Sequence, residues 1–261
     1  GSTAAGRAIA AATGRTGAKA LLENGGKDPM VVDAGVDPEW AAGQAALGGF
    51  INSGQLCTAV ERVYVVDDVA DDFLTALVRE AEQLVMGPGS RSGTTLGPMV
   101  DERMRTTVHA QVQQALGAGA RAVTGGTLPD GVGAFYPATV LTDVTPDMDV
   151  MRQETFGPVV PVMRVRSFEE ALQQACASLY GLAATVLTPS MDHAQQAWRA
   201  LPVGTVKVNA VFGGAPGGAA QPRGASGEGF GYGPELLDEL TVTKVVHLGL
   251  APHGATRPLA P

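Results

Sequence analysis

Cys57 is the residue whose type and setting best suit a nucleophile. It ends the segment 52–57 (NSGQLC), which follows a helical pattern and precedes a strand pattern. A glycine shortly before a cysteine permits a tight turn that exposes the sulfur at a loop–helix junction. Backbone N–H groups there can lower the thiol pKa and stabilise an oxyanion. The alternative is a buried free cysteine that packs as a small hydrophobe, and the cysteine by itself favours this alternative.

Two carboxylates are candidate partners of such a cysteine. Glu23 ends a predicted strand and precedes two glycines, and the C-terminal end of a parallel strand is where α/β sheets place their ligands. Buried there, it would have a raised pKa and could act as a general base; the alternative is a solvated turn carboxylate. Glu154 lies two residues before Phe156. It could hold a ribose hydroxyl while the ring packs on a nicotinamide, unless the segment is an ordinary loop before a strand.

The elements that must position these residues alternate between helices and strands. Helices are predicted at 3–14, 38–50, 67–86, 102–117, 168–177 and 192–201, and strands at 19–22, 29–33, 62–66, 122–124, 138–141, 159–165, 183–187 and 205–208. This order requires crossover connections, so we expect an α/β fold with a largely parallel sheet. A glycine-rich irregular segment, 211–233, follows. The late strand pattern at 240–248 needs an edge to pair with, for example on another subunit, and 249–261 reads as a frayed tail.

Composition excludes several classes of protein. The chain has 261 residues, is 45% hydrophobic and carries a net charge of −8 without a basic block. These values predict a buried core and argue against nucleic-acid binding. No apolar run approaches the roughly 20 residues of a membrane helix, and no secretory signal pattern is seen. Neither the two cysteines nor the four histidines (His109, His193, His247 and His253) have metal-ligand spacing. We therefore expect a cytoplasmic protein without a catalytic metal.

Taken together, the motifs resemble those of NAD(P)-dependent aldehyde dehydrogenases. The 34-residue separation of Glu23 and Cys57 is the spacing of that family's paired motifs, L-E-L-G-G-K and N-x-G-Q-x-C. The matching segments, in family order, are 1–6 (GSTAAG), 22–27 (LENGGK), 52–57 (NSGQLC), 154–159 (ETFGPV), 180–184 (YGLAA), 204–209 (GTVKVN), 226–229 (SGEG) and 240–245 (LTVTKV). The resemblance covers nearly the whole chain.

The resemblance implies a mechanism. The Cys57 thiolate would attack an aldehyde to give a thiohemiacetal, whose oxyanion the Cys57 backbone N–H and an upstream Asn would hold. After hydride transfer to NAD or NADP, Glu23 would activate the water that hydrolyses the thioester to a carboxylic acid.

The resemblance also implies a cofactor site. Glu154 would bind the nicotinamide ribose, and Phe156 would pack near the ring. Gly1 and Ser2 would face the pyrophosphate at the positive end of the first helix. For Ser2, the alternative is a simple N-cap.

In the family, a long cofactor-binding segment precedes the first helix. The expected domains are therefore a remnant of the Rossmann-like cofactor domain (1–26), the catalytic thiol domain (27–228), and a return segment with an oligomerisation strand and tail (229–261). The complete protein would be a homo-oligomer acting on a small-molecule aldehyde. The alternatives for the chain as given are a non-catalytic fragment and a cysteine-dependent thiol ester hydrolase.

Four positions depart from the family pattern. Asn24 replaces the usual Leu, Cys176 replaces an Asn, and Lys207 replaces an aromatic residue that often flanks the G-x-V-x-[IV]-N motif. Arg223 lies near the place of a usual Lys. Because the glycine-rich segment helps to form the family's substrate pocket, substrate preference stays open.

Overall fold

A computed structural model describes residues 1–213 and 221–250 of the protein. The middle of the glycine-rich segment, His253 and nearly all of the tail predicted at 249–261 lie outside the described residues. No helix in the described ranges is long and apolar enough to cross a membrane.

A seven-stranded sheet forms the centre of the fold, with the strand order β4-β5-β6-β3-β2-β8-β9. Every neighbouring pair is parallel except β4–β5, which is antiparallel. The strands are β2 (Pro29–Val32), β3 (Arg62–Val66), β4 (Arg121–Thr124), β5 (Thr139–Thr142), β6 (Val159–Val165), β8 (Ala183–Leu187) and β9 (Thr205–Val208). Two small antiparallel sheets pair β1 (Leu22–Glu23) with β11 (Gly227–Glu228), and β7 (Tyr180–Gly181) with β10 (Arg223–Gly224). The predicted mostly parallel α/β fold is confirmed.

The central strands are buried on both faces. In β2, Val31 joins one core cluster while Met30 and Val32 join the other. In β3, Tyr64 belongs to the same cluster as Val31, and Val65 belongs to the same cluster as Met30 and Val32. Side chains of a strand alternate between the faces of a sheet, and a parallel sheet covered by helices on both faces needs apolar residues on each. This requirement explains the nearly continuous apolar runs.

Helices cover the sheet and begin mostly at side-chain caps. They are α1 (Thr3–Thr16), α2 (Pro38–Phe50), α3 (Asp67–Glu82), α4 (Glu102–Gly117), α5 (Asp149–Arg152), α6 (Phe168–Cys176), α7 (Met191–Ala200) and α8 (Pro234–Glu239), with a 3₁₀ turn at Ile51–Gly54. Asp37 caps α2, and Pro38 occupies its first turn. Asp67 and Asp68 lie within the first turn of α3, where their charges favour the positive helix end.

The strand predicted at 19–22 is mostly wrong, since it forms only at Leu22–Glu23. The segment 240–248 forms no strand within the described part of the single chain, and Val242 and Val245 are 94% and 89% exposed. Its pairing with an edge on another subunit stays a prediction. A β-branched sequence favours a strand, but a strand also requires a partner backbone. No described segment pairs with 240–248.

Candidate active site

The turn before Cys57 has an unusual backbone. Asn52, Ser53 and Gly54 have consecutive positive φ angles of 50°, 57° and 69°. The Asn52 side-chain amide donates to the Gln55 carbonyl oxygen at 3.1 Å, and the Gln55 amide donates back to the Asn52 carbonyl at 3.0 Å. A Cβ at Gly54 would overlap the Gly157 carbonyl oxygen, so this position accepts only glycine.

Side-chain bonds fasten this turn to the segment 97–100. Ser53 Oγ donates to the Gly97 carbonyl oxygen at 2.8 Å, and Gln55 Oε1 accepts from the Val100 N–H at 2.8 Å. Cys57 follows the fastened turn and is exposed. The predicted tight turn that exposes the sulfur is therefore present.

The predicted loop–helix junction at Cys57 is wrong. Cys57 is followed by a turn and then by β3, so no helix begins there. The pKa of the Cys57 thiol is raised rather than lowered, first by burial and then by the nearby charges of Asp28 and Glu23. The thiol is therefore protonated at neutral pH and needs a base to react as a thiolate.

Glu23 faces the same cavity as Cys57. The cavity has a volume of about 360 Å³, within the range of small-molecule sites. Its lining residues include Glu23, Cys57, Leu182, Lys207, Phe212 and Tyr232. Burial raises the pKa of Glu23. The strand that carries Glu23 is antiparallel and lies outside the central sheet, so the prediction that Glu23 ends a parallel strand is wrong, although the carboxylate does reach a ligand-sized cavity.

Glu154 lies against two glycines of the 22–27 segment. Its Oε1 accepts from the Gly26 N–H at 3.1 Å, and a Cβ at Gly25 would overlap its carboxylate. Burial raises the pKa of Glu154, and the neighbouring charge of Glu61 adds to this effect. The side chain is half-buried. Glycine at position 25 is therefore required for the carboxylate to sit here.

A buried salt bridge anchors the loop that carries Phe156. Lys27 Nζ donates to Glu61 Oε2 at 2.7 Å, and both side chains are buried. The Glu61 carboxylate also accepts from the backbone N–H groups of Thr155 and Phe156, each at 2.8 Å. Phe156 has a positive φ of 53°. Glu61 therefore fixes the backbone on which the predicted nicotinamide-contacting ring is held.

Asp28 lies behind the cavity and is almost fully buried. Its Oδ1 accepts from the Ala183 N–H at 3.1 Å, while Oδ2 has no partner among the described residues. Burial raises the pKa of Asp28 well above its usual range.

Gly1 and Ser2 lie at the start of α1, beside the segment that carries Glu23. The Gly1 amino group donates to the Glu23 carbonyl oxygen at 2.7 Å. Ser2 Oγ accepts from the Ala5 N–H at 3.2 Å, so Ser2 is the N-cap of α1. Asn24, the departure from the family Leu, is buried beneath Gly6 of the same helix and donates to the Ala225 carbonyl. A polar contact there replaces an apolar one.

The remaining candidates lie apart from the cavity. Cys176 is half-buried and donates to the Ala200 carbonyl at 3.5 Å. His109 and His193 each contact one polar neighbour, Tyr136 and Asp33 respectively. Arg223 is exposed on β10. Among residues 1–213 and 221–250, no three His, Cys, Asp or Glu side chains are grouped as metal ligands would be.

Glu61 and Asp28 were not predicted from the sequence. Glu61 directly precedes the fully buried strand β3. A charged residue at the start of such a strand needs a buried partner, and this need is the signal that the sequence offers. That partner, Lys27, is 34 residues earlier, and the backbone groups it fixes are more than 90 residues later. Local patterns do not reveal such pairings.

Comparison with known proteins identifies the family of the chain. The sequence profile of the aldehyde dehydrogenase family matches residues 1–246. A succinate-semialdehyde dehydrogenase [NADP(+)] of Deinococcus radiodurans is 42% identical over 209 residues, covering 80% of this chain and 44% of that protein. An aldehyde dehydrogenase of Paenarthrobacter nicotinovorans is 41% identical over 236 residues, covering 90% of this chain and 51% of that one.

Solved structures of aldehyde dehydrogenases superpose closely on the chain. The crystal structure of lactaldehyde dehydrogenase from Escherichia coli superposes with a TM-score of 0.91 at 35% identity, over 95% of this chain and 52% of that chain. The NAD+ complex of an aldehyde dehydrogenase from Bacillus cereus gives a TM-score of 0.88 at 34% identity, over 91% and 48% of the two chains. The chain spans about half the length of the relatives it matches. It belongs to the aldehyde dehydrogenase family.

Proposed function

We propose that the complete enzyme to which this chain belongs oxidises an aldehyde to a carboxylic acid with NAD or NADP, and that Cys57 is its nucleophile. The observation that carries this proposal is the placement of Cys57 and Glu23 on one cavity of about 360 Å³. A thiol and a carboxylate with a raised pKa, facing one small-molecule site, form a nucleophile–base pair.

The chemistry starts at the Cys57 sulfur. The Cys57 thiol first loses its proton to solvent water; the thiolate then forms a bond to the carbonyl carbon, and the carbonyl π electrons move to oxygen. We assign the Cys57 backbone N–H, which follows the fastened turn 52–57, as the hydrogen-bond donor to that oxygen. NAD or NADP, when bound, supplies the acceptor for the hydride lost by the substrate carbon. The acyl group then stays on Cys57 as a thioester.

Glu23 completes the cycle by acting on water. Its carboxylate takes a proton from a water molecule while the water oxygen bonds to the thioester carbon. The C–S bond then breaks, which releases the carboxylic acid and returns the thiolate. Burial raises the pKa of Glu23 and so strengthens it as a base near neutral pH.

Glu154 and Phe156 are the residues that we propose for the nicotinamide end of the cofactor. Glu154 uses one carboxylate oxygen to accept from Gly26, and its second oxygen suits the hydroxyl donors of a ribose. We place Gly1 and Ser2 at the pyrophosphate, since they begin α1, whose N-terminus attracts anions. The names of the relatives include both NADP(+) and NAD(+) enzymes.

We further propose the division into a cofactor-domain remnant (1–26), a catalytic domain (27–228) and a return segment (229–261). In the last segment, Val242, Val245 and Leu248 are at least 87% exposed, and pairing with a second copy would bury them. A homo-oligomer is therefore expected, and a monomer by light scattering at micromolar concentration would oppose it. Because Cys57 must stay a free thiol to act as the nucleophile, we also propose that the enzyme works in a reducing compartment, the cytoplasm.

The test of the nucleophile compares two cysteine variants in the enzyme at its natural length. Cys57→Ala should abolish NAD(P)-dependent oxidation across a panel of aldehydes, while Cys176→Ala should keep it. Persistent oxidation by the Cys57→Ala variant would refute the proposal. Ester hydrolysis that depends on Cys57, without any oxidation when NAD or NADP is added, would instead favour a thiol ester hydrolase.

A further inference from the structure

Lys207 places a positive charge inside the cavity that holds Cys57. In β9, Thr205 and Lys207 line the cavity, whereas Val206 between them packs against the core. This alternation follows from the two-residue period of a strand. The Lys207 side chain is thus directed at the reacting groups by the register of β9 on β8, in which Lys207 is opposite Thr185.

The Lys207 ammonium group forms no salt bridge with any residue in the ranges 1–213 and 221–250. Its Nζ lies 5.9 Å from the centre of the Phe212 ring, which is a weak cation–π contact. Burial lowers the pKa of Lys207. Within the described residues, this cation therefore has no carboxylate in direct contact and loses part of its hydration.

Two acidic groups face Lys207 or its neighbours, and neither replaces such a partner. Burial lowers the pKa of Lys207 and the charge of Asp28 acts to raise it, but Asp28 forms no salt bridge with Lys207 among the described residues and uses Oδ1 to accept from the Ala183 N–H. The Glu23 carboxylate lies against Gly231 and is assigned above to activate water. The other lining groups include the apolar side chains of Leu182 and Phe212.

We propose that Lys207 is a specificity-determining residue that selects aldehydes carrying a carboxylate. This inference rests on the proposed function, because it assigns the cavity to the aldehyde. A neutral aldehyde would displace water and leave the ammonium group unpaired, which is costly. A substrate carboxylate would supply the missing partner and form a charge-assisted hydrogen bond.

The first test measures the reactivity of the Cys57 thiol and requires no catalytic turnover. In a Cys176→Ala background, the rate of alkylation of Cys57 is measured with iodoacetate and with iodoacetamide, which are nearly isosteric and differ in charge. The ratio of the two rates reports the attraction of a carboxylate to the cavity. A change in the thiolate fraction of Cys57 alters both rates equally and therefore cancels in their ratio.

Lys207→Met should lower the iodoacetate-to-iodoacetamide ratio by about tenfold, because a unit charge several ångströms away is lost. Lys207→Arg should keep the ratio, and the exposed Lys244→Met should leave it unchanged. Lys207→Gln serves as the second neutral variant if the methionine variant does not fold. An unchanged ratio in a folded neutral variant would overturn the proposal. Equal slowing by both reagents would also overturn it and would make Lys207 an activator of the thiol.

The second test compares 4-oxobutanoate with its methyl ester in the enzyme at its natural length. The wild type should prefer the free acid in kcat/KM, and Lys207→Met should reduce this preference at least tenfold, mainly through KM. Equal preference in the wild type and the variant would contradict the role of Lys207. If the wild-type enzyme oxidised neither compound, the proposed function would be contradicted. The alkylation ratio would then still test whether Lys207 attracts a carboxylate to the cavity.

Discussion

The Glu23 carboxylate occupies the space that a side chain at position 231 would fill. A Cβ built on Gly231 would overlap Glu23 Oε1. Since both residues line the cavity with Cys57, the glycine sets the position of the proposed base. The backbone at Gly231 does not have a positive φ, so the absence of a side chain there is a matter of space rather than of conformation.

Gly231→Ala should therefore disturb the base without breaking the backbone. We expect kcat to fall by about 100-fold, the lower end of the range that a general base contributes, while acylation of Cys57 persists. Steady-state and rapid-mixing kinetics measure the two steps. Gly43→Ala is the matched control, since nothing lies near a Cβ at Gly43 in α2. An unaffected kcat in Gly231→Ala would argue against this placement of Glu23.

Glu61→Gln should destabilise the fold and weaken cofactor binding together. The change leaves Lys27 as an unpaired buried charge and sets an amide N–H against the N–H of Thr155 or Phe156. Breaking one side of a buried pair costs about 3–5 kcal/mol, which urea unfolding measures. KM for NAD or NADP should rise because the Phe156 backbone loses its anchor. The exposed Glu170→Gln, which breaks only a surface pair with Arg166, should change neither quantity appreciably.

The pH dependence of Cys57 alkylation tests the direction of its pKa shift. Because burial and the charges of Asp28 and Glu23 raise the Cys57 pKa, the thiolate forms only at higher pH. The iodoacetamide rate in a Cys176→Ala background should have its midpoint above the value of about 8.5 for a free thiol. Glu23→Gln removes one negative charge and should move the midpoint down. A wild-type midpoint below that of a free thiol would contradict the electrostatics described here.

The strands of the central sheet were predictable because the sequence patterns that indicate them are local. The strands β3, β6, β8 and β9 have the predicted bounds, since each is a short apolar, β-branched run closed by turn residues. The segment 240–248 has the same composition but is unpaired within the described part of the single chain, because composition cannot supply a neighbouring backbone. The short helix α8 was not predicted, as six residues show little periodicity.

The candidate site was predictable only in part. Cys57, Glu23, Glu154 and Phe156 were found through motifs whose order and spacing are typical of the family. Asp28 was missed because its importance comes from burial next to Ala183, 155 positions away along the chain. The raised pKa of Cys57 was also missed, since the charges that raise it are brought near by the fold.

The central claim is that Cys57 carries the acyl group and that Glu23 removes it. The direct measurement is rapid mixing of the Glu23→Gln enzyme, at its natural length, with aldehyde and NAD or NADP, followed by acid quench and mass spectrometry of the peptide with Cys57. The account predicts a burst of about one reduced cofactor per site, slow turnover afterwards, and the acyl mass on Cys57. Wild-type turnover in this variant, or a burst with no acyl group on Cys57, would contradict it.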